Sequence, residues 1–239
     1  MKKILYLESS GTQYINTGVY GGSNTRITAK FQMVTKPTTE YMTILGIWNS
    51  RTMDRWFYYT ATAKYAIQYY SSLKQNLNMP TDDSILELDK DKNVFKVNGS
   101  TIYTGSSTAF SSTIPIYLFS SCAMNYNTQS LEPQWDNNAT SRMYDCQIYV
   151  DNVMVRDYIP VLDNNNVPCM YDQLNDTYYY NQGTGSFTAG PVIDVENKIY
   201  IGVNDVAKRA KKIYVGVNNV ARKVVAVYVG VNNVARKVM

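Results

Sequence analysis

Histidine is absent from the 239 residues. Serine or cysteine nucleophiles activated by an imidazole, and imidazole-ligated zinc, are excluded with it. Chemistry run by carboxylates alone survives, because glycoside hydrolysis needs only two acids flanking the scissile bond. The densest run of acids on a strand-like segment is Glu87-Leu88-Asp89-Lys90-Asp91-Lys92. It reads as a solvated hairpin strand running into a turn at Lys90–Asn93, not as a catalytic pair.

Aromatic rings suit a different task. A sugar ring lays its C–H face on a flat side chain while Asn, Asp and Gln fix its hydroxyls. The chain holds 22 Tyr and 3 Trp. Trp48, Trp56, Tyr58, Tyr59, Tyr69, Tyr70, Tyr126 and Trp135 are candidates for such a glycan site, with Trp135, Tyr126, Trp56, Tyr58 and Trp48 put forward. Alternation puts Trp56 and Tyr58 on one face of a strand and Phe57 and Tyr59 on the other, so one of those pairs belongs to a core. Trp135 and Tyr126 fall in a polar stretch, 124–140, that reads as a long loop, a common place for function.

No cofactor is expected, and calcium is the one ion with room. Its oxygen ligands must converge on one point. Asp82-Asp83, Asp136-Asn137-Asn138, Asp151-Asn152 and Asp163–Asn166 offer oxygens, yet each reads equally well as a turn. Cys122, Cys146 and Cys169 are an odd, scattered set that reads as buried free thiols rather than a disulfide framework.

The last forty residues repeat. Tyr200–Ile213, Tyr214–Val227 and Tyr228–Met239 align without a gap at a 14-residue period. Each unit is long enough for one β-hairpin, strand-turn-strand, with Asn218-Asn219 as the turn in the second copy. A lone hairpin is marginal in water, so each copy needs a neighbour. Tyr200, Tyr214 and Tyr228, with the basic residues Arg222, Lys223, Arg236 and Lys237, are the candidate assembly residues. Residues 198–239 carry nine Lys+Arg against one Asp, or +8; residues 1–197 carry fourteen against eighteen Asp+Glu, or −4. Basic charge at hairpin spacing beside a regular Val/Tyr pattern points to protein assembly rather than to nucleic acid.

These residues must be positioned by strands. Segments such as Arg26–Phe31, Tyr41–Trp48, Ile85–Asp89, Val94–Val97 and Met143–Val150 recur every 8–15 residues with turn signals between them. Asn98-Gly99 and Asp151-Asn152 read as tight turns, and Pro115 marks an edge or bulge. In Met143–Val150 the alternation assigns Tyr144, Cys146, Ile148 and Val150 to the core. The expected fold is all-β, a two-sheet sandwich or jelly roll over 1–190 followed by hairpin repeats over 191–239. The apolar stretch near the start is too short for a signal peptide, and no run is long enough to span a bilayer.

Two stretches carry a resemblance. YLESSGTQYINTGVYGGSNTRITAKFQ near the start and SRMYDCQIYVDNVMVRDYIPVLDNNNVPCMYDQLNDTYYYNQGTGSFTAG before residue 190 resemble the concanavalin A-like, laminin-G-like jelly-roll domains of bacteriophage and prophage structural proteins. The tail resembles the short "YIGVNxVARKV" repeats of such proteins. The resemblance implies a non-enzymatic virion protein assembled in the host bacterial cytoplasm, fibre or tail-associated, with other virion proteins as partners. By analogy with phage fibres it also implies a homo-oligomer, a trimer first. A host-surface glycan is the implied ligand, without a fixed set of binding residues. The alternatives are a capsid decoration or baseplate protein that binds only virion proteins and, behind it, a glycoside hydrolase. Hydrolases on this type of sandwich use a Glu-x-Asp-x-x-Glu strand; here Lys92 stands where the second Glu is needed. Laminin-G-like domains sometimes hold calcium, which is why that ion keeps a place.

Overall fold

The structure, a computed structural model, describes residues 1–38, 41–49, 52–80, 83–125, 127–134 and 139–193, and six strands of the repeat region. The chain divides into two compact units, Met1–Ile193 and Asp194–Met239. Residues 191–193 go with the first unit because they bond to its opening strand: Leu5 N–H donates to the Pro191 carbonyl at 2.9 Å and Ile193 N–H to the Lys3 carbonyl at 2.8 Å.

The first unit is an all-β, two-sheet antiparallel sandwich. The larger sheet runs Ser100–Thr104, Val94–Val97, Ile85–Asp91, Thr25–Met33, Ser141–Val150, Val153–Leu162, Pro168–Asp172, Thr177–Tyr179. The smaller runs Ser130–Pro133, Cys122–Asn125, Tyr41–Trp48, Met53–Tyr59, Lys64–Tyr70, Ser72–Leu77, with Ser111–Leu118 joining Tyr41–Trp48 to Ile15–Gly22. One pairing, Cys122–Asn125 on Tyr41–Trp48, is parallel. Alternation sets the inner faces. In Thr25–Met33 the residues Ile27, Ala29 and Phe31 are buried while Arg26, Thr28, Lys30 and Gln32 face outward. Phe95 of the larger sheet meets Trp56 and Tyr69 of the smaller, each at 5.4 Å between ring centroids.

Turn chemistry follows the sequence. Asp151-Asn152 has φ of 51° and 65°, and Asn98-Gly99 of 49° and 78°, the left-handed values that two-residue hairpins require. The pairing register shifts on both sides of Pro115, which sits within a strand paired on both edges, so that proline marks a bulge.

Three expectations need correction. The strand Ile85–Asp91 extends past Lys90, whose ammonium is buried between the sheets against the Asp54 carboxylate at 2.5 Å, with side chains 1% and 3% exposed. Lys90 Nζ also donates to Thr25 Oγ1 at 2.6 Å and the Gly22 carbonyl at 3.3 Å. Burial pushes the Asp54 carboxyl up from its ordinary range, and the adjacent ammonium opposes that rise. Second, a register shift between Met143 and Asp145 reverses the alternation there, so Met143 is buried and Tyr144 faces outward, while Cys146 and Ile148 remain core. Third, the stretch 124–140 is not all loop: Cys122–Asn125 and Ser130–Pro133 form a hairpin.

The two sequence stretches that carry the family resemblance meet in a clasp. Thr184 N–H donates to the Thr12 carbonyl at 3.2 Å and Gln182 N–H to the Tyr14 carbonyl at 3.0 Å. Gln13 Nε2 reaches the Thr184 carbonyl at 3.1 Å, and Tyr14 N–H reaches Asn181 Oδ1 at 3.2 Å. Gly183 permits the approach, since a Cβ there would lie 1.9 Å from the Thr12 carbonyl oxygen.

The second unit holds three hairpins, Tyr200–Val203 with Val206–Arg209, Tyr214–Val217 with Val220–Lys223, and Tyr228–Val231 with Val234–Lys237. The register is the same in each: Tyr200 pairs Arg209, Tyr214 pairs Lys223, Tyr228 pairs Lys237. Arg222 pairs Val215 and Arg236 pairs Val229. The turn at Asn218-Asn219 lies outside the described residues.

Candidate functional site

The outward side of the larger sheet is a grid of polar side chains. Cross-strand pairing aligns Asp89, Thr28, Gln147 and Asp157 in one row over four neighbouring strands. Glu87, Lys30 and Asp145 form the next row. Gln173 follows the strand Pro168–Asp172 and closes the first row, its N–H donating to the Asp157 carbonyl at 2.8 Å. Together they line an open cleft of about 590 Å³, with Ile159 at one end.

The first row is held in place by its own hydrogen bonds. Asp157 accepts from Gln147 Nε2 at 3.0 Å on one oxygen and from Gln173 Nε2 at 3.1 Å on the other. Gln147 Oε1 in turn accepts from the Tyr149 hydroxyl at 3.0 Å and the Thr28 hydroxyl at 3.4 Å. Fixed amides and a fixed carboxylate form a preorganised set for hydroxyl groups, because little side-chain freedom remains to be lost on binding. Arg26 grips Asp89 through two bonds of 3.0 and 3.1 Å, and Lys30 pairs Glu87 at 3.1 Å. Burial raises the Asp145 carboxyl, opposed by the Lys30 charge and backbone N–H.

Ile159 leads from the cleft to a tyrosine ladder. It pairs with Tyr171, which pairs with Tyr178. Tyr171 and Tyr178 rings lie 5.0 Å apart; Tyr178 and Tyr180 lie 6.2 Å apart and stack at 26°. The hydroxyl of Tyr171 donates to Asp176 at 2.5 Å and that of Tyr180 to Asp163 at 3.0 Å, which anchors both rings by their tips. Tyr180 is 41% exposed. Its neighbour Tyr179 points the other way, edge-on to the buried Tyr158 at 5.0 Å.

Most of the aromatics singled out from the sequence lie elsewhere. Trp56 and Tyr58 are 2% and 1% exposed and offer no ring face to a sugar; both belong to the core between the sheets. Phe57, on the opposite face of the same strand, is buried as well. The cause is Arg55, 4% exposed on the outer side of the smaller sheet. Its guanidinium carbon lies 4.6 Å from the Phe57 ring centroid, 5.1 Å from Tyr41 and 5.8 Å from Trp48. Arg55 Nε donates to Gln68 Oε1 at 2.5 Å, and Nη1 donates to Gln134 Oε1. Trp48 is thus half-buried in a cation–aromatic cluster; Tyr59 and Tyr70 are half-buried as well, and Tyr69 is core. Tyr126 and Trp135 lie outside the described residues.

The ladder was within reach of the sequence. In Thr177-Tyr178-Tyr179-Tyr180, alternation assigns Tyr178 and Tyr180 to one face and Tyr179 to the other. Gln147, Asp157 and Gln173 had no such signal, since their alignment depends on strand order.

Two of the carboxylates considered for calcium, Asp151 and Asp163, are occupied in turns. Asp163 Oδ1 accepts from the N–H groups of Asn165 and Val167, each at 2.8 Å. Asp151 Oδ2 accepts from Asn24 Nδ2 at 3.0 Å. Asp82 and 136–138 lie outside the described residues. Among the described residues no group of three or more acidic or cysteine side chains is placed to hold a metal ion. Lys92, standing where a second catalytic glutamate is needed, lies in a turn with φ of 54°. All three cysteines are free and buried, and burial pushes the Cys122 thiol up to about 11 and Cys169 to about 12. Among the described residues no helix is long and apolar enough to cross a membrane. No protein-family model matches the chain, and no curated protein matches it in sequence.

Proposed function

We propose that the chain is a non-enzymatic structural protein of a bacteriophage particle, fibre or tail-associated. Its sandwich, a concanavalin A-like jelly roll on this reading, displays a glycan-binding face, and its hairpin repeats attach or assemble it. One observation carries the binding role: the outer side of the larger sheet joins an open cleft with a fixed Gln147–Asp157–Gln173 set to a tyrosine ladder that ends in the exposed Tyr180. Hydroxyl-reading groups beside ring faces are what a sugar chain needs.

A glycan array probed with the full chain and with Gln147→Ala/Gln173→Ala tests this. Binding by the parent and loss of at least tenfold in the variant is the expected result. No binding to any glycan would sink the reading. It would leave the second one, a capsid decoration or baseplate component that binds only virion proteins. The three hairpins favour that second reading, because isolated two-stranded units need a partner. Light scattering of the full chain beside a chain ending at Ile193 tests the assembly role. Equal protomer numbers in the two would remove oligomerisation from the repeats.

A further inference from the structure

We propose, resting on the glycan-binding reading, that this face sorts glycans by charge: it takes neutral or amine-bearing sugars and rejects uronate, sialylated and sulfated ones. The grid and the ladder together carry six carboxylates, Glu87, Asp89, Asp145, Asp157, Asp163 and Asp176. Lys30 is the one cation among the residues that line the cleft. Arg26 is held by Asp89, and Lys96 stands opposite Asp89 in the strand pairing. Lys3, on the opening strand, acts on Asp145. The N-terminal ammonium acts on Asp163 in the same way, so five cations stand against the six acids and leave the face at −1.

The placement matters more than the count. Lys30 is salt-bridged to Glu87 and Arg26 to Asp89, so an incoming anion would compete with a carboxylate for either cation. The groups best fixed to meet a ligand are Asp157 with its two amides, and the tyrosines whose hydroxyls already donate to carboxylates. An acidic sugar in the cleft would bring a third negative group against Asp145 and Asp157, and would have to draw Lys30 or Arg26 from its carboxylate or reach past the lining to Lys96 or Lys3. A sugar ammonium would instead gain charge-assisted hydrogen bonds to carboxylates. Repulsion of this kind is how a site excludes ligands that otherwise fit.

The test is an array of neutral, amine-bearing and acidic oligosaccharides, probed with the full chain at low and high salt. The parent is expected to bind neutral or amine-bearing members, with acidic forms of the same core weaker by fivefold or more at low salt. Screening at high salt should narrow that gap. In Asp145→Asn/Glu87→Gln, which leaves the Asp157 clamp in place, the acidic form should recover at least fivefold relative to the neutral form. An acidic glycan among the strongest ligands, or equal binding of acidic and neutral forms at both salts, would overturn the charge sorting and leave the glycan reading standing. The salt series reads the same interaction in the parent if the double variant fails to fold. Absence of binding across the array overturns the glycan reading, and the sorting falls with it.

Discussion

On the outer side of the smaller sheet, three aromatic rings close over Arg55; on the outer side of the larger sheet, tyrosines stand open beside carboxylates and amides. Both faces use aromatic and charged residues. The difference lies in what the charge does. Arg55 draws Tyr41, Trp48 and Phe57 inward, and its bonds to Gln68 and Gln134 fasten two more segments. The cluster spends its aromatic surface on itself. In the larger sheet the ion pairs Arg26–Asp89 and Lys30–Glu87 lie flat across neighbouring strands, and the rings stack at the far edge with their tips tied to acids. Such partly exposed pairs add little stability. One face therefore closes its aromatic surface on itself, while the other presents polar groups and the exposed Tyr180 to solvent.

The largest expected effect lies between the faces. Asp54→Ala leaves the buried Lys90 ammonium unpaired and should cost about 3–5 kcal/mol in urea unfolding. Asp54→Leu with Lys90→Met should recover most of that loss, since an apolar replacement removes both desolvated charges. Next comes Arg55→Ala, which strips donors from Gln68 and Gln134 and uncovers three rings. A loss of about 2–3 kcal/mol is expected by the same measurement. If it costs less than about 0.5 kcal/mol, the size of an ordinary surface change, the smaller face is not structural and the contrast fails.

The larger face should respond in binding as well as in stability. Tyr178→Ala is expected to cost about 1–2 kcal/mol of stability through its two ring contacts, less than Arg55→Ala, while weakening glycan binding roughly tenfold, about 1.4 kcal/mol. A stability loss without a binding loss would reduce the ladder to packing. The smallest effect concerns the ladder's anchor. Backbone N–H donation from Val167 leads the causes that hold the Asp163 carboxyl below its ordinary value, with Asn165 N–H and the Tyr180 hydroxyl adding to it against burial. A depressed folded-state value means the stabilisation is full above the unfolded value of about 3.9 and fades as pH falls through the folded one. The gap in melting temperature between the parent and Asp163→Asn should therefore be constant from pH 7 to 5 and shrink below about pH 4.

Alternation and turn chemistry made much of the fold legible. Thr25–Met33, the Asn98-Gly99 and Asp151-Asn152 turns and the bulge at Pro115 all follow from local physics. What escaped was non-local. The shift at Met143 reverses a face without any glycine or proline to announce it. Lys90 reads as a solvated turn residue until the opposite sheet brings Asp54 to it. Trp56 and Tyr58 looked like ligand residues because composition reveals aromatic character but not which layer covers it. The cleft was the least legible part, since Asp89, Thr28, Gln147 and Asp157 come from four strands and only sheet order puts them in a row.

The clasp between Thr12–Tyr14 and Asn181–Thr184 also constrains how the sandwich comes into being. Its partners are separated by more than 165 residues, as the Tyr14–Asn181 bond shows at a separation of 167. A nascent chain leaving the ribosome can build hairpins such as Val153–Leu162 on the strand before it early. It cannot lock its opening segment until residue 184 has emerged. Loop closure over such a span is slow beside local pairing. The opening strands Leu7–Ser9 and Lys2–Lys3 find their first partners only in Ser141–Met143 and Val161–Leu162, so they wait with their pairing groups open for most of the synthesis of the sandwich, an interval that exposes them to mispairing with another copy.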